Sequence, residues 1–308
     1  MTMPPDALFD SESSMPFQLS ASARTVADFF SRALSSFQNS GSKLQVICTA
    51  AHRNLDDHGL PSPLPPRKGP WTLIVLDSSF NPPTRAHLRM ATSAIHDLTQ
   101  KQGQELGRLR LLMLLSVNNA DKGAKPAAFD QRLVMMWAFA RDVQQSIPTT
   151  TLQQPTSGAS DSQAEGLNVD LALTTVPYFH EKSRLLAAAS FYRPTPTADQ
   201  QQPPETEQLF LVGYDTLIRI FNPKYYPPTT LSSPTTSSPN TTATSQPLTP
   251  TPTPTPMQTA LAPFFTRARL RVTLRTDDEW GGEEEQRAHL ASLMQAGAED
   301  GGGGRGHH

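Results

Sequence analysis

Residues 71–95 of the chain read WTLIVLDSSFNPPTRAHLRMATSAI, and this stretch decides the fold. Its first part, Thr72 to Leu76, is a continuous apolar run that is typical of a strand buried on both faces of a parallel sheet. Turn-forming residues at Asn81 to Pro83 end this run. From Thr84 onward apolar residues recur at helical spacing, so the stretch predicts a strand, a turn and a helix.

The same order of strand, turn and helix repeats along the chain. Further buried strands are predicted at Leu109 to Val117, Leu167 to Val176 and Leu209 to Val212, with helices at Asp130 to Val143 and from Asp215. Weaker patterns predict a helix at Ala23 to Phe37, a short strand at Leu44 to Thr49, an edge strand at Arg269 to Arg275 and a helix at Glu283 to Met294. Strands that alternate with helices predict an α/β fold with a doubly wound parallel sheet.

Composition indicates that part of the chain lies outside this fold. Of the 308 residues 37% are hydrophobic and 18% charged, and 29 are prolines. We expect a disordered tail at residues 1–21, an α/β domain at 22–227 that continues at 258–297, a Ser/Thr/Pro-rich disordered insertion at 228–257, and a Gly-rich tail at 298–308. The insertion contains no charged residue and is a candidate contact region for protein partners.

Net charge and cysteine content exclude several classes of protein. A net charge of −2 provides no basic face for nucleic acid or anionic membrane, so neither partner is expected. The single cysteine, Cys48, excludes an intramolecular disulfide and a zinc site built from cysteines. The longest apolar runs, such as Leu111 to Leu115, are too short to span a bilayer, and no secretory signal pattern opens the chain. We therefore expect a cytoplasmic protein, a nuclear protein, or both.

Two segments occupy the carboxyl ends of predicted strands, where open parallel sheets bind their ligands. In the first segment, free backbone N–H groups at the helix start favour an anion, and the hydroxyls of Ser78 and Ser79 add donors. Thr84 and His87 lie about one helical turn apart, so both side chains can face one pocket and hold a triphosphate. The alternative, a plain turn with a helix cap and with His87 on the surface, stays open from the residues alone.

The second segment is Gly213-Tyr214-Asp215. Glycine at a strand end lets a ligand approach the backbone closely. The Asp215 carboxylate can accept hydrogen bonds from ribose hydroxyls or cap the following helix, and the residues alone favour the cap.

The motif SFNPPTRAH at 79–87 resembles the signature of the nucleotidyltransferase superfamily, and within it that of nicotinamide mononucleotide adenylyltransferases of the divergent fungal branch. Three further segments resemble segments of that family in the expected order: LSVNNADK at 115–122, LVGYD at 211–215 and RIFNPKYY at 219–226. The resemblance extends over roughly residues 72–280. It implies a Rossmann-like doubly wound sheet of the nucleotidyltransferase type.

The resemblance also implies an activity, which is transfer of the adenylyl group of ATP to nicotinamide mononucleotide, giving NAD and pyrophosphate. Mg²⁺ is then the expected cofactor, held through the ATP phosphates and not by dedicated protein ligands. The implied catalytic residues are His87 and Thr84. The implied ATP and phosphate contacts are Ser78, Ser79, Phe80, Lys122, Gly213 and Asp215, and the implied substrate contacts are Asn118 and Arg132.

Two departures from the family pattern leave other functions open. A serine replaces the glycine expected ahead of Phe80, and Ala86 replaces the glycine of the histidine box. The family's second phosphate motif, Ile-Ser-Ser/Thr-x-x-Arg, does not follow the helix predicted at Glu283 to Met294, and we interpret the arginines at 267, 269, 271 and 275 as an edge-strand face. We expect either a truncated C-terminus or a site that lacks half of its phosphate clamp.

Two other functions therefore stay open. One is a nucleotide-binding or interaction protein without catalytic activity on the same scaffold. The other is a nucleotidyltransferase that uses a different phosphate acceptor.

Overall fold

The computed structural model of the protein describes residues 21–52, 61–66, 69–117, 127–147, 166–193, 206–227, 254–275 and 278–300. The helices in these ranges are α1 (Ala21–Ser40), α2 (Arg85–His96), α3 (Phe129–Gln145), α4 (Phe179–Ala188), α5 (Tyr214–Ile220), α6 (Pro256–Phe265) and α7 (Glu283–Asp300). The strands are β1 (Leu44–Ala50), β2 (Thr72–Asp77), β3 (Leu109–Ser116), β4 (Asn168–Thr174), β5 (Glu207–Gly213) and β6 (Ala268–Thr273). Most of the expected tails and of the expected insertion lies outside the described residues.

The described strands form one sheet in the order β1-β4-β3-β2-β5-β6. Neighbouring strands run parallel, apart from β1, which pairs antiparallel with β4. The expected α/β fold with its doubly wound parallel sheet is thus confirmed, and only the edge strand β1 among the described strands runs antiparallel to its neighbour. Within the described residues no helix connects β1 to β2, and a crossover helix is what usually makes two strands of a sheet parallel.

The central strands β2 and β3 bury both of their faces, as the apolar run at Thr72 to Leu76 predicted. On one face, Ile74 and Leu76 pack in a core that α1, α2 and α3 cover. On the other face, Leu73 and Val75 pack in a second core, to which α4 and α6 contribute. Burying one such side chain stabilises the fold by about 1.5–3 kcal/mol, so both helix layers are needed to cover the sheet.

The strand order places a switch point at β2, because β3 lies on one side of it and β5 on the other. Leu76 of β2 is paired with Leu211 of β5, and Gly213 of β5 is paired with Thr273 of β6. The segments that follow these three parallel strands therefore meet at one edge of the sheet. In sheets of this kind a crevice opens at the switch point, outside the carboxyl ends of the strands.

A buried ion pair lies toward the amino ends of β3 and β4, and it holds the edge strand β1. The Arg110 side chain donates from Nε to Oδ2 of Asp170 at 2.7 Å and from Nη2 to Oδ1 at 2.8 Å. The same carboxylate accepts from the Thr49 hydroxyl of β1 at 2.7 Å and from the Tyr192 hydroxyl at 3.2 Å. Arg110 also donates to the carbonyl of Leu64. The pair is satisfied on all sides, which is what a buried ion pair requires.

Three helices differ from the sequence expectations. Helix α6 begins at Pro256, inside the range assigned to the insertion, because the hydroxyl of Thr255 accepts from the backbone N–H of Gln258 and the Gln258 side chain accepts from that of Thr255. A proline in the first turn suits this cap, since its missing N–H would have no intrahelical partner there. Helix α4 was not predicted, and α7 extends to Asp300. Among the described helices none is long and apolar enough to cross a bilayer.

The buried pair gives a stability prediction. Asp170→Ala leaves the Arg110 guanidinium buried without a counter-charge, so the free energy of unfolding should fall by about 3–5 kcal/mol in urea denaturation. The double variant Arg110→Met/Asp170→Leu should recover part of this loss, because it removes both charges.

Arg287→Ala is the matched control, because it breaks an exposed pair with Glu283 and should cost less than about 1 kcal/mol. If Asp170→Ala costs no more than this control, the buried pair does not hold β1.

Candidate active site

The loop between β2 and α2 follows the carboxyl end of the central strand. Its residue Phe80 is completely buried and has a φ of 45°, a left-handed backbone conformation that a bulky side chain rarely adopts. Such a conformation costs about 1–2 kcal/mol per residue and persists where the surroundings hold it in place. The buried ring therefore anchors the loop, while its neighbours Ser78 and Ser79 stay partly or fully exposed.

The start of α3 holds the same loop from the side. The Arg132 guanidinium donates to the carbonyls of Ala127, at 2.8 Å, and Ser79, at 3.4 Å. In return, the Asn81 side chain accepts from the backbone N–H of Ala127 at 3.0 Å. Arg132 was expected to contact substrate, but it is only 2% exposed and these donors go to main-chain carbonyls. These hydrogen bonds hold the loop, and the contact of Arg132 with substrate stays a prediction.

Thr84 and His87 form a cap at the start of α2. The Thr84 hydroxyl accepts from the backbone N–H of His87, and the Thr84 backbone N–H donates to Nδ1 of His87 at 2.9 Å. The helix cap that the residues alone left open is therefore present. The same arrangement holds the His87 ring at the carboxyl edge of the sheet, where the ring is half-buried and not on the surface.

The other ring nitrogen of His87 lies against the loop. Its Nε2 atom is 2.9 Å from the hydroxyl oxygen of Ser78. The ring also packs against Phe80 and Phe139, with centroids 5.6 and 6.5 Å away. Burial, and then the positive charge of Arg275, lower the pKa of His87 below its usual value, so the ring is neutral at pH 7.

Arg275 lies two residues beyond the end of β6, and it pairs with Asp215 in the first turn of α5. Its Nε and Nη2 atoms both donate to Oδ1 of Asp215, at 3.0 and 2.8 Å. A Cβ at Gly213 would lie 2.6 Å from that oxygen, so a side chain there would have to displace the carboxylate. The glycine thus makes room for the ion pair, and Asp215 does not cap its helix.

Gln286 of α7 fixes the backbone at Arg275. It is completely buried, and its amide oxygen accepts from the Arg275 N–H at 2.9 Å. Its amide nitrogen donates to the carbonyls of Arg275, at 3.0 Å, and Gly281, at 2.8 Å. Gln286 therefore pairs with both backbone groups of Arg275, which fixes the residue that carries the guanidinium.

A second ion pair lies directly beneath the loop. Asp77, the last residue of β2, is 2.5 Å from Nζ of Lys182 on α4, and these side chains are 8% and 4% exposed. The carboxylates of Asp77 and Asp215 are thus both paired with a cation, so their negative charge is largely compensated. An anion can approach this edge of the sheet without strong repulsion from either of them.

The structure brings together Ser78, Thr84 and His87, and it places Gly213 and Asp215 at the end of the neighbouring strand. The expected contacts Asn118 and Lys122 lie outside the described residues. Within the described ranges, no group of three or more His, Cys, Asp or Glu side chains is placed to hold a metal ion.

Three residues at this edge were missed from the sequence: Lys182, Arg275 and Gln286. Arg275 was interpreted as part of an edge strand, but the strand ends at Thr273. Placing this strand end opposite Gly213 would have put Arg275 at the edge of the site. Lys182 and Gln286 lie on helices, and nothing in their local sequence indicates a partner at the carboxyl edge.

Together, the strand order and the loop after β2 define an α/β protein with a doubly wound, mostly parallel sheet whose candidate site lies at the carboxyl ends of its strands. The chain is similar to a protein of Schizosaccharomyces pombe with the name "Putative nicotinamide mononucleotide adenylyltransferase", with 34% identity over 154 residues, which are 50% of this chain and 44% of the relative. The chain thus covers less than half of that relative's length. The match confirms the resemblance that the motifs indicated. No known protein-family profile matches the chain, and no solved structure matches it.

The neighbouring cation gives a prediction for His87. Arg275→Gln should raise the pKa of His87, because it removes a positive charge that opposes protonation and frees the negative charge of Asp215. The measurement is a pH titration of the histidine ring signals by NMR.

Arg271→Gln is the matched control, since this β6 arginine pairs with Asp97. The control should leave the His87 titration unchanged. An unchanged or lower pKa in Arg275→Gln would show that the guanidinium does not act on His87.

Proposed function

We propose that this protein transfers the adenylyl group of ATP to nicotinamide mononucleotide, forming NAD and releasing pyrophosphate. The observation that carries this proposal is the hydrogen-bonded pair of Ser78 and His87 at the start of α2, next to the switch point of the sheet. The name of the fission yeast relative supports the choice of reaction.

The start of α2 suits a triphosphate for electrostatic reasons. Its free backbone N–H groups and the positive end of its dipole favour an anion, and the nearby carboxylates of Asp77 and Asp215 are paired with cations. In this proposal Ser78, Ser79 and the backbone at Phe80 surround the phosphates together with Thr84 and His87. Gly213 and Asp215 then lie beside the adenosine. Lys122 contacts a phosphate, and Asn118 contacts the acceptor nucleotide.

Mg²⁺ would enter as part of the substrate, bound to the ATP phosphates. The two carboxylates nearest the loop, Asp77 and Asp215, are already engaged by Lys182 and Arg275. These residues suit an ion that keeps its waters and takes its charged ligands from phosphate, which is a common arrangement for Mg²⁺.

The chemical step needs no nucleophile from the protein. A phosphate oxygen of nicotinamide mononucleotide attacks the α-phosphorus of ATP and forms the new P–O bond. The bond from this phosphorus to the bridging oxygen breaks, and its electron pair leaves with pyrophosphate. The protein therefore has two tasks, which are to align the two phosphates and to stabilise the charge that develops between them.

The test is NAD formation by this chain from ATP, Mg²⁺ and nicotinamide mononucleotide, with His87→Ala alongside. We expect the wild type to form NAD and the variant to lose about 10²–10³-fold in rate, because the Ser78–His87 pair is broken and losses of this size follow when one preorganised donor is disturbed.

His96→Ala is the matched control, because His96 is an exposed residue of the same helix and is far from the loop in sequence. It should keep wild-type activity. A loss below about threefold in His87→Ala would remove His87 from the site. Activity with another phosphate acceptor, and none with nicotinamide mononucleotide, would replace the proposed reaction.

A further inference from the structure

The two nitrogens of the His87 ring have different roles that the structure fixes. Nδ1 faces both the backbone N–H and the hydroxyl oxygen of Thr84, each at 2.9 Å, and the hydroxyl can either donate or accept. A backbone N–H is always a donor, so Nδ1 must be the acceptor and cannot carry a proton. The proton of the neutral ring is therefore on Nε2.

This assignment decides the direction of the next hydrogen bond. Nε2–H donates to the hydroxyl oxygen of Ser78 at 2.9 Å. The hydroxyl proton of Ser78 must then point away from His87, and among the described residues the structure gives it no acceptor. The outermost donor of this pair is thus the Ser78 hydroxyl and not the imidazole.

The packing prevents an easy exchange of these roles. The His87 ring packs against Phe80 and Phe139, and rotating it would break the contact with Thr84. The main chain of Ser78 is tied to β3, because its N–H donates to the carbonyl of Leu114 at 3.3 Å. The backbone of Ser78 is therefore held by β3, and its hydroxyl oxygen is held by His87.

We propose that the Ser78 hydroxyl is the group that donates a hydrogen bond to the reacting phosphates of a nucleoside triphosphate, and that His87 is a positioning residue that orients this hydroxyl. This inference rests on the proposed function and specifies which atom touches the substrate. Chains of hydrogen bonds polarise one another, so the donation from Nε2–H strengthens the Ser78 donor. No proton is transferred, because the hydroxyl only stabilises charge on the bridging oxygen as its bond to the α-phosphorus breaks.

The neutral state of His87 agrees with this arrangement. A second ring proton would sit on Nδ1, where the Thr84 hydroxyl oxygen could accept it. The Thr84 backbone N–H would still face the same nitrogen, so two donors would oppose each other there. The charged group that acts on the ring from the neighbouring strand end is Arg275, and it also opposes protonation.

Ser78→Ala separates the two possible roles, because it removes the hydroxyl and leaves Nε2–H of His87 free. If Ser78 is the donor, kcat should fall by about 10²-fold while the KM for ATP changes little, since the lost contact acts mainly on developing charge. If His87 itself contacts the phosphate, Ser78→Ala should keep or raise kcat, and this result overturns the proposal.

Three further variants sharpen the test. Ser78→Thr keeps a hydroxyl at the same position and should retain most of the activity. The double variant Ser78→Ala/His87→Ala should be no slower than the slower single variant, because the two residues act as one unit. Ser35→Ala is the control, since this exposed serine of α1 bonds only to the carbonyl of Ser31 among the described residues, and it should leave kcat unchanged.

NMR of ¹⁵N-labelled histidine gives a readout that does not depend on turnover. We expect the ligand-free protein to show the Nε2–H form of His87. Addition of Mg²⁺ and ATP without acceptor should then shift Nε2 of His87 only slightly, because Ser78 stands between the ring and the phosphate. A proton on Nδ1, or a large shift of Nε2 that Ser78→Ala does not alter, overturns the proposal.

The two assays distinguish the failure of this inference from that of the proposed function. A wild type that forms NAD while Ser78→Ala is equally active retains the function and refutes the role of Ser78. If the wild type forms no NAD but the Nε2 signal of His87 shifts slightly when Mg²⁺ and ATP are added, the reaction is refuted and the phosphate contact is retained. If ATP produces no change and NAD is not formed, both are refuted.

Discussion

Because β2 lies in the middle of the sheet, it must bury both of its faces, and the rest of the architecture follows from this requirement. Helices cover the sheet on both sides, so polar side chains can reach solvent mainly where the strands end. The loop after β2 is one such place, and the switch in strand order opens a crevice beside it. The position of the candidate site is thus a consequence of how the apolar run at Thr72 to Leu76 is covered.

Charge at this edge is arranged locally and does not follow from the chain as a whole, which has a net charge of −2. Asp77 and Asp215 each have a cationic partner, and His87 is kept neutral by burial and by the charge of Arg275. A neutral imidazole still carries a donor, and its single proton has a definite position because a backbone N–H occupies the other nitrogen. The site therefore offers oriented hydrogen bonds more than net positive charge.

The sequence was sufficient where the signal is local. The apolar run of β2 acts through neighbours in the chain and was found as predicted, and the cap at Thr84, which the residues left open as an alternative, is local in the same way. The ion pair of Asp77 with Lys182 joins residues that are 105 positions apart, and no periodicity records such a contact. Asp215 was expected to face a ligand or to cap a helix, but the arginine that holds it was assigned to a strand face. The position of this arginine, Arg275, depends on where β6 ends, and strand patterns define strand ends poorly.

The contacts of Arg275 and Gln286 also bear on the order in which the site is completed during synthesis. The ribosome makes chains from the N-terminus, so the loop at Ser78 and the helix with His87 exist long before β6 and α7. Until β6 pairs with β5, Asp215 has no guanidinium beside it and His87 has no neighbouring cation. The charge balance at this edge therefore depends on elements that are synthesised long after the loop itself, and a chain in which β6 is not paired with β5 would hold a phosphate less well.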